Sequence, residues 1–202
     1  MGKNNMLSIM LVLLILMMGC TASQQVESRF RDRVLPSTIG STSALDKFGI
    51  RYFDEGAIVV FTGDDPQRAG YATMGYAVFR RDLGTWNEGQ VGSSSRQAQD
   101  LTGKLIDYSL TDFNFQGKGR DLTFDYRLLV GEILSPTAES IEVVLDDGTV
   151  LQDEGEDDVF AFKTEVAHNF CELRVLDAQG KILESIVPEY EGGPLPTSGP
   201  GC

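Results

Sequence analysis

Apolar and polar positions fall into three regimes along the chain. The first is a run from Met6 to Met18 that is apolar except for Ser8. It has the length of the hydrophobic core of an export signal and falls short of the roughly 20 apolar residues that a membrane-crossing helix needs. The second, Thr21 to about Ser43, shows no apolar periodicity and carries Pro36, Gly40 and many hydroxyl residues, the pattern of a flexible tether. At its end, Ser43-Ala44-Leu45-Asp46-Lys47-Phe48 reads as one helical turn capped by Ser43.

The third regime, to about Val187, has the short runs and turn signals of β-structure. Ala57-Ile58-Val59-Val60-Phe61 predicts a strand stopped by Thr62-Gly63-Asp64-Asp65-Pro66. Strands are further predicted over Ala69 to Arg80, Leu105 to Leu110, Leu122 to Leu134, Ile141 to Leu145, Thr149 to Leu151, Val159 to Phe162, Cys171 to Leu176 and Lys181 to Val187. Asp146-Asp147-Gly148 is a hairpin turn signal. Gly89 to Gln99, rich in Gly, Ser and Gln, reads as a loose connection. Over Cys171 to Leu176 strict alternation puts Cys171, Leu173 and Val175 on one face. Strands at this spacing predict an all-β fold. We divide it into a β-rich N-terminal module over 44–117 and a small β-sandwich-like, Ig-like module over 118–188, with a break near Gly117-Lys118-Gly119. Two lobes of one core fit the pattern equally. Residues 189–202, with Gly192-Gly193-Pro194, read as a disordered tail.

Composition adds a strong charge bias. The formal net charge is −13, and loss of the first 19 residues, which removes Lys3, leaves −14. Such a chain is repelled by nucleic acid and by anionic lipid headgroups, which argues against both as direct ligands. No cofactor motif is present.

The junction Leu16-Met17-Met18-Gly19-Cys20 follows the apolar run, and Lys3 precedes it. This resembles the signal peptide of bacterial lipoproteins, whose pattern is an aliphatic residue, a small residue, Gly or Ala, then Cys; Met18 stands where a small residue is usual. The resemblance implies cleavage after Gly19 (signal peptide 1–19), a diacylglycerol on Cys20, and a tether over 20–43. It implies anchoring to the membrane through lipid on Cys20, on the extracytoplasmic side of the cell membrane, with a protein at the cell envelope as the candidate partner. Two acyl chains anchor stably where one is marginal. The alternatives are an uncleaved anchor or a plain signal peptide with a chance cysteine. A second, looser resemblance rests on Gly56-Ala57-Ile58-Val59-Val60-Phe61, Gly75-Tyr76-Ala77-Val78 and Gly84-Thr85-Trp86. These pieces are similar to uncharacterised exported proteins of Gram-positive spore-formers, and imply no activity.

Candidate chemistry is sparse. Asp153, Glu154, Glu156, Asp157 and Asp158 flank Gly155 and offer carboxylates to a divalent cation such as Ca²⁺, which takes six to eight oxygens; a solvated acidic loop is the ordinary reading. His168 is the one histidine, which excludes sites needing two. A Cys171/His168 nucleophile pair is set against a small buried thiol at Cys171 and an exposed His168. A bond between Cys171 and Cys202 is open to an exported protein, but a loose tail reaching a buried strand thiol is the harder arrangement, so a free thiol at Cys202 is expected. Trp86, Tyr71, Tyr76 and Phe79 fit a core before a ligand surface. Gly92-Ser93-Ser94-Ser95 and Gly117-Lys118-Gly119-Arg120 read as loops. The function expected is a lipid-anchored binding or accessory module, not an enzyme, with a cation-binding lipoprotein and a cell-envelope hydrolase as alternatives.

Overall fold

The structure is a computed structural model, and it describes residues 21–54, 56–82, 84–116, 123–189 and 202. The predicted signal peptide, Cys20, the 117–120 loop and most of the predicted tail lie outside the described residues.

The segment expected to be a tether is helical. It comprises α1 (Thr21–Arg29), a π-turn (Phe30–Val34) and α2 (Leu35–Thr38). Val26, Phe30 and Val34 lie at i, i+4 and i+8, one face of a helix. The π-turn passes that inward row on to Leu35 and Ile39, and all five are buried. Arg29, Arg31, Asp32 and Arg33 surround the row and hide its period in the sequence. On the outer side Glu27 and Arg31 form an i,i+4 ion pair at 2.8 Å. Gly40, at φ +88°, ends the helix with its N–H on the Leu35 carbonyl, the left-handed cap that glycine adopts without strain.

The remaining elements are strands: β1 (Leu45–Phe53), β2 (Gly56–Asp64), β3 (Tyr71–Asp82), β4 (Thr85–Gln97), β5 (Ile106–Gln116), β6 (Thr123–Ile133), β7 (Ser140–Leu145), β8 (Val150–Asp153), β9 (Val159–Glu165), β10 (Phe170–Leu176) and β11 (Ile182–Ile186). They form three antiparallel sheets in the orders β1-β2-β3-β4, β5-β6-β9 and β11-β10-β7-β8. The all-β expectation holds, with two strands unforeseen. The helical turn expected at Ser43–Phe48 is instead a short 3₁₀ turn (Thr42–Ala44) leading into β1. The loose segment after Trp86 is β4, a 13-residue edge strand paired along β3. It lacks an apolar rhythm because most of its side chains are exposed or half-buried, so backbone pairing holds it rather than burial.

These elements stack in layers. The helical segment covers one face of the first sheet, through Ala57, Val59, Phe61, Ala77, Phe79 and Trp86. The opposite face, with Ile58, Val60, Tyr76 and Val78, packs on Phe113, Leu128, Val130 and Val159 of the second sheet. That sheet turns its other face, including Leu129, Phe160 and Phe162, to Ile141, Val143, Leu173 and Val175 of the third. β2 and β6 are therefore buried on both faces, which is why each reads as a nearly continuous apolar run.

The expected module break near Gly117 falls inside a hairpin. β5 and β6 pair at 11 positions, from Ile106↔Ile133 to Gln116↔Thr123. β5 thus belongs to the second sheet, and the chain leaves the first sheet at the 3₁₀ turn Ala98–Leu101. The second sheet contributes to two cores at once, which joins the two proposed modules into one stack.

Candidate functional site

Charged side chains join the first sheet to the second and to β8 of the third. A bulge at Asp46 sets it up: Leu45 pairs with Gly63 and Lys47 with Thr62, so Asp46 has no partner. The extra residue flips the alternation. Leu45 joins the helix-side core, whereas Lys47 and Arg51 face the second sheet. Lys47 donates to the Ile133 carbonyl and lies 3.4 Å from Glu132. Arg51 makes a two-pronged bond to Asp153, Nε to Oδ2 at 2.7 Å and Nη2 to Oδ1 at 2.9 Å. Its Nη2 also reaches the Val159 carbonyl at 2.7 Å, and its Nη1 reaches Asp157 at 3.2 Å. At the other edge Arg96 bonds Asp107 and the Tyr108 carbonyl.

Asp107 and Glu132 stand directly opposite each other on β5 and β6, and both are buried. Like charges so placed repel, and each is drawn to its own cation, Arg96 or Lys47. Burial pushes Glu132 above the ordinary carboxylate range; Lys47 pulls against it, and Asp107 and Asp46 push with it.

Glu132 lines an open cleft of about 450 Å³, together with Lys47, Thr62, Asp64, Leu101 and Leu134. The Thr62 hydroxyl is buried and has no hydrogen-bond partner among the described residues. A second cleft, of about 460 Å³, opens where the edge strands β4 and β5 part, and presents Ser93, Ser94, Ser109 and Thr111.

The acidic loop falls elsewhere than the metal expectation requires. Asp153 is buried, and besides Arg51 it accepts the Gly155 N–H at 3.0 Å and the Ala161 N–H at 3.1 Å. Both oxygens are thus held by protein donors. Gly155 is buried at φ +63°, and a Cβ there would lie 2.4 Å from Ile133, so the loop is folded into the core and not solvated along its length. Glu154, Glu156, Asp157 and Asp158 are exposed. Among the described residues, the metal-competent side chains that converge are Asp146, Asp147 and His168, not those of 153–158. His168 Nδ1 sits 3.0 Å from Asp146 Oδ1. That bond raises the imidazole pKa, helped by Asp147 and Glu165. Burial pushes Asp146 up, but His168 and the Asn169 backbone outweigh it and hold the carboxylate below its ordinary value.

Cys171 does not share the buried face of Leu173 and Val175. Phe170 pairs with Leu145 and Glu172 with Val144, which leaves Cys171 as the extra residue of a bulge. Phe170 takes the core position, and Cys171 turns outward into a disulfide with Cys202, at a Cα–Cα distance of 5.2 Å. The bulge removes the steric objection to this bond, and the free thiol expected at Cys202 is corrected. With its sulfur bonded, Cys171 is no nucleophile for His168. Trp86, Tyr76 and Phe79 are core residues, while Tyr71 is half-buried beside Gln97; Gly92 to Ser95 lie on β4. Lys47, Thr62 and Glu132 were missed from sequence. The available signal was Glu132 itself, a charge inside the apolar run Leu128 to Leu134, where burial demands a partner.

No family model matches the chain, and neither a curated protein nor a solved structure similar to it is found.

Proposed function

We propose that this chain is a lipid-anchored, extracytoplasmic binding module, held on the outer face of the cell membrane by diacylglycerol on Cys20. The observation that carries this reading is the partition of its three cysteines. Cys171 and Cys202 are bonded to each other, as suits an oxidising compartment. That leaves Cys20, at the end of the apolar signal, as the remaining thiol. A lone reactive thiol is a liability in such a compartment, and lipidation removes it. Because α1 begins at Thr21, and its Val26 and the π-turn's Phe30 are packed on the first sheet, the anchor is followed by folded protein instead of a spacer. The domain then rides close to the lipid surface. Among the described residues no helix is long and apolar enough to cross a membrane.

The test is an intact-mass measurement on the full chain extracted from host membranes in detergent. The expected species begins at Cys20 and carries the added mass of the acylated glycerol. Cys20→Ser is expected to leave the signal uncut and the lipid mass absent. A mature chain beginning elsewhere, or one without lipid, overturns the reading.

A further inference from the structure

The helical segment is the outermost layer of the stack, and it starts one residue after Cys20. We propose that this layer is a docking surface for anionic lipid headgroups, whose phosphates its arginines hold. This rests on the reading that lipid on Cys20 places the chain at a membrane. It adds which face turns to the lipid and which headgroup chemistry that face meets.

The first support is the uneven spread of charge. The chain as a whole is acidic, and its net charge alone predicts repulsion from anionic headgroups. Within Thr21–Thr38, however, Arg29, Arg31 and Arg33 outnumber Glu27 and Asp32, a net charge of +1, while the residues after Thr38 carry −15. An anionic surface therefore repels the sheets and attracts the helical layer, which turns that layer toward the lipid.

The second support is the placing of the arginines. Val26, Phe30 and Val34 face the first sheet, so the residues beside them fall on the two flanks of the helix. On the flank over β1, Arg31 is paired with Glu27 at 2.8 Å, and its guanidinium lies over the Phe48 ring, 5.7 Å from the centroid. Arg29 and Arg33, four apart, share the opposite flank. Arg29 is half-buried and Arg33 exposed. Among the described residues neither has an ion pair or a hydrogen-bond partner for its guanidinium. Asp32, the acid between them, is exposed and accepts the Ser28 hydroxyl at 3.3 Å. Two guanidinium forks are thus left open, and that fork matches the oxygens of a phosphate.

The third support is aromatic. Phe48 and Ile50 of β1 pack toward the helical layer, so Tyr52, two residues on, lies on the same face of the sheet. Tyr52 is 51 % exposed and stands edge-on to Trp86, with ring centroids 6.1 Å apart. Side chains with an apolar ring and a polar tip settle at the headgroup level of a membrane. The opposite end of the stack offers no such combination. There Arg174, on the outer side of the third sheet, is already engaged by Glu172 and Glu142.

The test is reconstitution of the full chain into vesicles of phosphatidylcholine alone or of an equimolar mixture with phosphatidylglycerol. Phenylglyoxal modification is then read arginine by arginine from peptide masses. At low salt Arg29 and Arg33 are each expected to react about fivefold less on the mixed vesicles, the effect of one cation near an anionic leaflet. Molar salt is expected to abolish that difference by screening, and Arg174 is expected to react alike on both vesicles. Trp86, the chain's one tryptophan, is expected to be quenched more strongly by nitroxide-headgroup lipid on the mixed vesicles. The double variant Arg29→Gln, Arg33→Gln removes no contact within the protein, so its Tm is expected to stay unchanged. Its Trp86 quenching on mixed vesicles is expected to drop to the level seen on phosphatidylcholine. Equal modification of Arg29 and Arg33 on the two vesicles, or a quenching difference that survives in the variant, overturns the proposal. The intact mass of the same sample reports the lipid on Cys20 separately. A lipidated chain with unprotected arginines defeats the docking surface alone, and protected arginines on a chain without lipid defeat the anchor.

Discussion

Lys47, Arg51 and Arg96 each reach across from the first sheet to a buried carboxylate of the stack. Taking such charges out of water is costly, and the pair repays it only with good geometry and further hydrogen bonds. Asp153 meets that condition, with Arg51 and two backbone N–H groups on its oxygens. Glu132 meets it less well, because its partner Lys47 stands 3.4 Å away and also donates to the Ile133 carbonyl. His168 gives a third case. It is the chain's one histidine, hence the one side chain whose ordinary pKa falls between about pH 6 and 8. Its folded-state pKa is raised above 6.5 by Asp146. Its stabilising contribution is therefore complete below 6.5 and is lost as pH climbs through the raised value. Tm is expected to fall from about pH 6 to about pH 8, and His168→Gln is expected to flatten that slope. A slope that persists in the variant rules His168 out as its source.

At the scale of elements, the helical segment over Thr21–Thr38 is the largest departure from the sequence expectation. Phe30 is fully buried against Phe48 and Phe61, with ring centroids 5.1 and 5.0 Å apart. Phe30→Ala is expected to destabilise the domain by about 3–5 kcal/mol, as loss of a buried aromatic does, measured by urea unfolding. A tether would show no change. The strands with two buried faces, β2 and β6, were legible because burial on both sides demands an unbroken apolar run. β4 was not, since an edge strand made of Thr85–Gln97 takes its order from the hydrogen bonds of β3. β1 was obscured by its bulge at Asp46, which breaks the period of two that marks a strand.

Across the whole molecule, the sheets stack so that the second contributes to two cores, the arrangement of two lobes that the sequence pattern left open beside two modules. The turn signals separate strands but do not say which strands share a sheet, and so a break near Gly117 fits the pattern although it falls inside the β5–β6 hairpin. The Cys171–Cys202 bond acts at this scale by tying a distant residue back to β10, over a separation of 31 residues. Closing a loop of this length is worth about 2–4 kcal/mol by restricting the unfolded chain. The double variant Cys171→Ser, Cys202→Ser is expected to lose that much in urea unfolding, and reducing agent is expected to do the same to the wild type. Equal stability with and without reductant would show that the bond does not form.

Local signals were enough to establish the all-β class, the hairpin at Asp146-Asp147-Gly148 and the strands buried on both sides, because alternation, turn chemistry and apolar runs are properties of neighbouring residues. Whether a charge is solvated, paired or left wanting depends on what the other layers bring to it. Two carboxylates show this: Asp153 of the acidic run and Glu132 of β6 are equally charged in the sequence. One is locked by Arg51 from a strand 102 positions away, and the other is paired more loosely, with Lys47 at 3.4 Å. Only the packing of the first sheet on the strands of the other two decides between them, since the partners meet through long-range contacts that no local pattern encodes.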